Sequence, residues 1–102
     1  MAIDRGGALM AVEICDTFGV RPTPSVVLAA FHELTRATSL MRQRAARTGA
    51  ALEETVGDGN HLVFIADLLT RNLDLCLPQE QAMMSMHLAT TQTWLRRQGF
   101  EA

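Results

Sequence analysis

One stretch limits what this chain can become: His61–Leu77, HLVFIADLLTRNLDLCL, the most apolar run in the sequence. Wound on a helix of about 3.6 residues per turn, Leu62, Ile65, Ala66, Leu69, Leu73 and Cys76 share one face. Phe64, Leu68 and Leu75 form a second apolar group roughly 120° round the same axis. Only Asp67, Thr70, Arg71 and Asp74 make a polar strip. A surface helix needs one apolar stripe; two predict neighbours on both sides. The run is broken by Asp67, Arg71 and Asp74 and is too short to span a membrane.

The rest of the chain supplies those neighbours. Thr23 before Pro24 reads as a helix start, a threonine N-cap followed by proline at the first helical position. From Ser25 to Leu52 a heptad-like seam steps by four and three through Val27, Phe31, Leu34, Thr38, Met41, Ala45, Thr48 and Leu52. Val26, Ala30 and Ala37 widen the seam early on, and Gly49 predicts fraying or bending near its end. Val56-Gly57-Asp58-Gly59-Asn60 reads as a turn, its glycines supplying left-handed geometry and Asp58 or Asn60 capping the next helix. Leu77-Pro78 ends or kinks the central helix. A last helix over about Pro78–Gln98 carries the stripe Met83, Met84, His87, Leu88, Thr91, Trp94 and Leu95, with Gly99 as its left-handed cap and Phe100 folding back.

Ala8–Phe18 is open to two readings. Leu9, Val12 and Cys15 could share one side of a short helix, and Val12 and Ile14 could equally alternate on a strand; the balance falls on a short helix ending at Gly19. Met1–Gly7 is expected to be disordered. The fold class is therefore all-α, one domain over residues 1–102. It is a small bundle of three long helices with a possible short fourth at the N-terminus, sequential helices packing antiparallel across short linkers. Four Phe, one Trp and no Tyr against six Met agree with helices rather than sheets.

The chemistry-bearing residues do not assemble into a motif. His32, His61 and His87 lack a histidine or cysteine partner at helical ligand spacing, so no metal and no cofactor are expected; His87, mid-stripe, reads as a hydrogen-bonded core residue. Asp58, Asn60 and His61 beside two glycines lack the Lys-Ser/Thr ending of a phosphate loop and the further carboxylates of a calcium loop. Cys15 and Cys76 fit neither a CxxC pair nor a zinc pattern and read as reduced thiols. No signature joins them to His87, so no enzyme is expected. The N-terminus shows no secretory leader, and a cytoplasmic location is expected.

Two surfaces remain. Arg36, Arg42, Arg44 and Arg47 make a basic segment, but they scatter round the helix and the net charge is −2, which favours a solvated face or an acidic partner over nucleic acid. Phe64, Leu68 and Leu75 are surplus apolar surface that the N-terminal segment could cover or a second copy could occupy. With Met86, Leu40 and Arg44 they are the expected partner- or dimer-binding residues, and a homodimer is favoured.

The layout is a loose N-terminus, a long helix after VRPTPS, a GDGN turn, an apolar helix and a closing MMSMHLATTQTWLRRQGF. In this and in length the chain resembles the small helical antiactivators of LuxR-type quorum-sensing receptors. That resemblance implies a protein that docks on a transcription regulator and keeps it from dimerising and binding promoters. The alternatives are a small nucleic-acid-binding regulator using Arg36–Arg47 and a small-molecule-binding helical domain with His87 and a cysteine in a Met-lined pocket.

Overall fold

In the computed structural model, residues 7–48 and 56–101 are described, and their regular secondary structure is entirely helical. Helix α1 spans Gly7–Thr17, α2 Pro24–Thr48, α3 Val56–Arg71 and α4 Pro78–Arg97, with a 3-10 turn at Leu73–Leu75. The all-α class is as the periodicity predicts. Helix α1 packs on α2 and α3, α2 on α3, and α4 on α3 and α2.

Thr23 caps α2 as expected, its Oγ1 accepting the Val26 N–H at 3.3 Å. The first half of the seam is core: Val27, Ala30, Phe31, Leu34, Thr38 and Met41 are buried. Thr38 is tolerated there because its hydroxyl donates to the Leu34 carbonyl at 2.8 Å. The side chains of Ala45 and Thr48, and residues Gly49 and Leu52, lie outside the described residues, as do residues 1–6; Gly7 itself opens α1.

The ambiguous N-terminal stretch is a helix. It gains by burying Val12 to 1% exposure, and the Ala8 N–H in its first turn donates to Glu33 Oε2 of α2 at 3.0 Å. A carboxylate at the positive end of α1 supplies what its own first turn, which has no acidic residue, lacks. The helix stops at Gly19, whose φ of 68° admits the paired bonds from Val20 N–H to the Cys15 carbonyl (2.9 Å) and from Gly19 N–H to the Asp16 carbonyl (3.2 Å).

Two expectations are corrected in the central stretch. Val56–Asn60 is the first turn of α3, not a connector, and Gly59 has helical rather than left-handed geometry; the positive-φ glycines among the described residues are Gly19 and Gly99. Gly59 is glycine because a Cβ there would meet three ring carbons of Phe100 at 2.4–2.6 Å. At its other end α3 stops at Arg71, well before Pro78. The break is held by side chains: Asn72 Nδ2 donates to the Leu68 carbonyl at 2.8 Å, and Arg21 Nε donates to Asn72 Oδ1 at 3.0 Å. Apolar residues beyond the break still face inward, Cys76 buried and Leu73 and Leu75 packed against the core.

Helix α4 begins at Pro78, and Glu80 Oε1 accepts the Leu77 N–H at 3.1 Å. Met84, Leu88 and Leu95 are its buried residues. Gly99, at φ 95°, turns the chain so that the Phe100 N–H donates to the Leu95 carbonyl at 3.1 Å and the Gly99 N–H to Arg96 at 2.9 Å. Phe100 is buried on Gly59 as a result. Asn60 Oδ1 accepts the Glu101 N–H at 2.8 Å, so the start of α3 holds the end of the chain.

Candidate functional site

The outer face of α1 carries a run of exposed apolar side chains. Met10, Ile14 and Phe18 recur every fourth residue, so they share one stripe, with Val20 just past the cap. Their exposures are 60%, 51%, 75% and 57%. The opposite face of the same helix, centred on Val12, is spent on the core. Helix α1 is thus apolar on two sides, one of which no described residue covers. The helical period of the sequence points to the inner residues Leu9, Val12 and Cys15; the four-residue spacing of Met10, Ile14 and Phe18 is equally legible in it.

A second surface lies on the exposed side of α4. Leu77, Met83 and Met86 are exposed along its first half. One or two turns further on, Arg42 from α2 lays its guanidinium 4.9 Å from the Trp94 ring centroid. Arg42, Ala89, Thr90, Thr93, Trp94 and Arg97 together line an open groove of about 340 Å³.

Two polar ties seat α1 and the 3-10 turn. His61 Nε2 of α3 meets Glu13 Oε1 of α1. Arg21 Nη2 contacts Asp74 Oδ1 at 2.6 Å, both side chains largely exposed. The hydrogen bond from Arg21, helped by its charge, holds the Asp74 carboxyl below its ordinary value of 3.8 against a smaller opposing effect of desolvation. Because the folded value is depressed, this contribution is complete above the ordinary value and is lost as pH falls through the folded one. The gap in urea midpoint between the natural protein and Asp74→Ala is therefore expected to be constant around pH 7 and to narrow towards about pH 3. A gap that widens on acidification would contradict this assignment.

The other titratable groups do not converge. Among the described residues, no group of three or more His, Cys, Asp or Glu side chains could hold a metal ion. His87 is exposed, not a core histidine: its ring lies edge-on to Phe31, centroids 6.1 Å apart, at the margin of the α2–α4 contact. Cys15 is half-buried and Cys76 buried, both free thiols. Burial pushes the Cys76 thiol up, the carboxylates of Glu80 and Asp74 adding to the effect, so it is a poor nucleophile at neutral pH. No described helix is long and apolar enough to cross a membrane.

The six residues expected to meet a partner divide. Met86 (70% exposed), Leu40 (52%) and Arg44 lie on the surface. Phe64 and Leu75 are half-buried and packed against the core. Leu68 is corrected: at 1% exposure it is buried by its own chain. Leu68 lies two turns beyond His61 on the same side of α3, and the Glu13–His61 contact places α1 over that side. The chain itself buries Leu68, and α1 is the element that Glu13 ties to that side of α3. Of the α4 stripe, Met84, Leu88 and Leu95 are buried, whereas Met83 and His87 are exposed and Thr91 and Trp94 half-buried.

No protein-family model matches this chain, and neither a curated protein nor a solved structure does.

Proposed function

We propose that this chain is a protein–protein interaction regulator that binds and inhibits a transcription factor by blocking its dimerisation and DNA binding, in the manner of a quorum-sensing antiactivator. The single observation that supports the interaction reading is the uncovered stripe Met10, Ile14, Phe18 and Val20. A chain of 102 residues that leaves four large apolar side chains in water along one short helix and its cap has spent solubility on a surface suited to a partner. The narrower reading, a receptor-type regulator as target, rests on the layout resemblance. We further propose that α2, α3 and α4 form the bundle proper, neighbours antiparallel, with α1 as its interacting edge. The protein acts in the cytoplasm, and a second copy occupies the stripe in the free protein.

The test is a tagged capture from the native host with mass spectrometry, run beside light scattering of the purified protein. Phe18→Asp and Ile14→Asp, both at exposed positions, are expected to leave the fold intact, to render a dimer monomeric and to lose the captured regulator. A monomeric protein that captures no regulator, or variants that capture it as well as the natural chain does, would reject the reading.

A further inference from the structure

The groove between α2 and α4 combines three features. Arg42 and Arg97 both line it, and among the described residues neither forms an ion pair with a carboxylate. The other described lining side chains are Ala89, Thr90, Thr93 and Trp94, so among the described residues no carboxylate lines it to neutralise the guanidiniums. Trp94 is half-buried, with Arg42 stacked across its ring. That contact restrains the Arg42 side chain, which costs less ordering on binding than a free side chain does.

The surface continues along α4. Met86 is one turn before Thr90, and Met83 one turn before Met86, both exposed. The exposed side of α4 therefore passes from an apolar half into a basic half within about four turns. Tryptophan and arginine are the residue types most often found as anchors of protein contacts, and methionine suits an adaptable apolar contact. Nucleic acid is a poorer fit, because the chain is net negative and Arg42 already occupies a face of the indole on which a base would stack.

We propose that this groove takes an acidic segment of a partner protein, one that places carboxylates against Arg42 and Arg97 and an apolar side chain against Met83 and Met86. The proposal rests on the interaction-protein reading but uses a different face from the α1 stripe, so the two can fail separately. Occupancy makes each guanidinium a fork for a carboxylate, a charge-assisted pairing stronger than a neutral hydrogen bond. Such a segment binds more weakly as salt rises, since the groove is open to solvent.

Trp94 is the chain's one tryptophan, so its fluorescence reports the groove directly. The experiment titrates the full chain with an acetylated, amidated peptide of alternating glutamate and leucine. Its lysine–leucine counterpart, inorganic phosphate and a short single-stranded DNA are run beside it. The expected result is a saturable change in Trp94 emission with the acidic peptide alone. Arg97→Glu is expected to weaken it roughly tenfold or more, and Arg97→Ala less. Arg97 is exposed, and unchanged circular dichroism of the two variants confirms that the fold is kept. The proposal is overturned by no saturable change, by a change that Arg97→Glu leaves intact, or by an equal response to phosphate or DNA. Capture of a regulator through the α1 stripe together with a silent Trp94 would reject the groove and leave the interaction reading standing.

Discussion

Leu68→Asp is expected to unfold the protein rather than to silence an interface. The side chain is 1% exposed, on a helix that α1 packs against. Replacement loses a leucine's burial, about 2–3 kcal/mol, and places a carboxylate within the buried core cluster. Leaving such a charge uncompensated costs several kcal/mol more. A domain of this size has roughly 5–15 kcal/mol in all, so the variant should show little helical signal at room temperature, or a urea midpoint far below that of the natural chain. Met86→Asp is the matched control. It is 70% exposed and should move stability by only about half a kcal/mol. Leu68→Asp with a normal midpoint would mean that α1 does not cover this face. The contrast matters for function as well, because loss of binding in a Leu68 variant would report unfolding, whereas loss in Phe18→Asp would report contact.

The second large effect concerns the closure of the chain on itself, and its signature is a change of sign. In an ordinary helix interior, Gly→Ala stabilises by about 1 kcal/mol. At Gly59 the new methyl would stand 2.4–2.6 Å from the Phe100 ring carbons, so either α3 or the C-terminus must move. Phe100 is 3% exposed and lies past the end of α4; displacing it loses most of its burial and the Asn60–Glu101 bond. Gly59→Ala is therefore expected to destabilise by about 2 kcal/mol, and Phe100→Ala by about 3 kcal/mol. Once the ring is gone the methyl has room. Gly59→Ala made on top of Phe100→Ala should then stabilise by up to about 1 kcal/mol, as helix propensity alone dictates. A double-mutant cycle on urea midpoints measures the coupling directly. Additive effects would show that Gly59 and Phe100 do not meet.

These two expectations mark where sequence periodicity runs out. Period and punctuation were enough for the start of α2 at Thr23-Pro24, for the buried seam from Val27 to Met41, and for Gly19 and Gly99 as helix ends. Each of these is a local property: a hydroxyl three residues before an N–H, an apolar residue every third or fourth place, a residue free to take positive φ. The same signals misplaced the start of α3. Glycines and an Asp–Asn pair ordinarily make a turn, but Gly59 answers to a phenylalanine 41 residues away in the chain. Periodicity also carried the central helix through to Leu77, since the apolar spacing does not change at Asn72. The break there is made by Arg21, which reaches across from the α1–α2 connector to Asn72 and Asp74.

The candidate surfaces divide in the same way. Two apolar faces on His61–Leu77 were legible, and so was the need for a neighbour on each. Which neighbour came was not, because Leu68 looks the same to a reader of the sequence whether α1 or a second chain lies over it. The stripe Met10, Ile14 and Phe18 became a surface only once Val12 had turned inward, and the groove exists only because α2 brings Arg42 to Trp94. The sequence by itself determined that this chain is helical, where α2 and α4 start, and that it owns more apolar surface than one bundle can bury. Tertiary structure alone decided which of that surface is core, because burial depends on contacts between residues tens of positions apart, and hydrophobic free energy follows area removed from water whichever segment removes it.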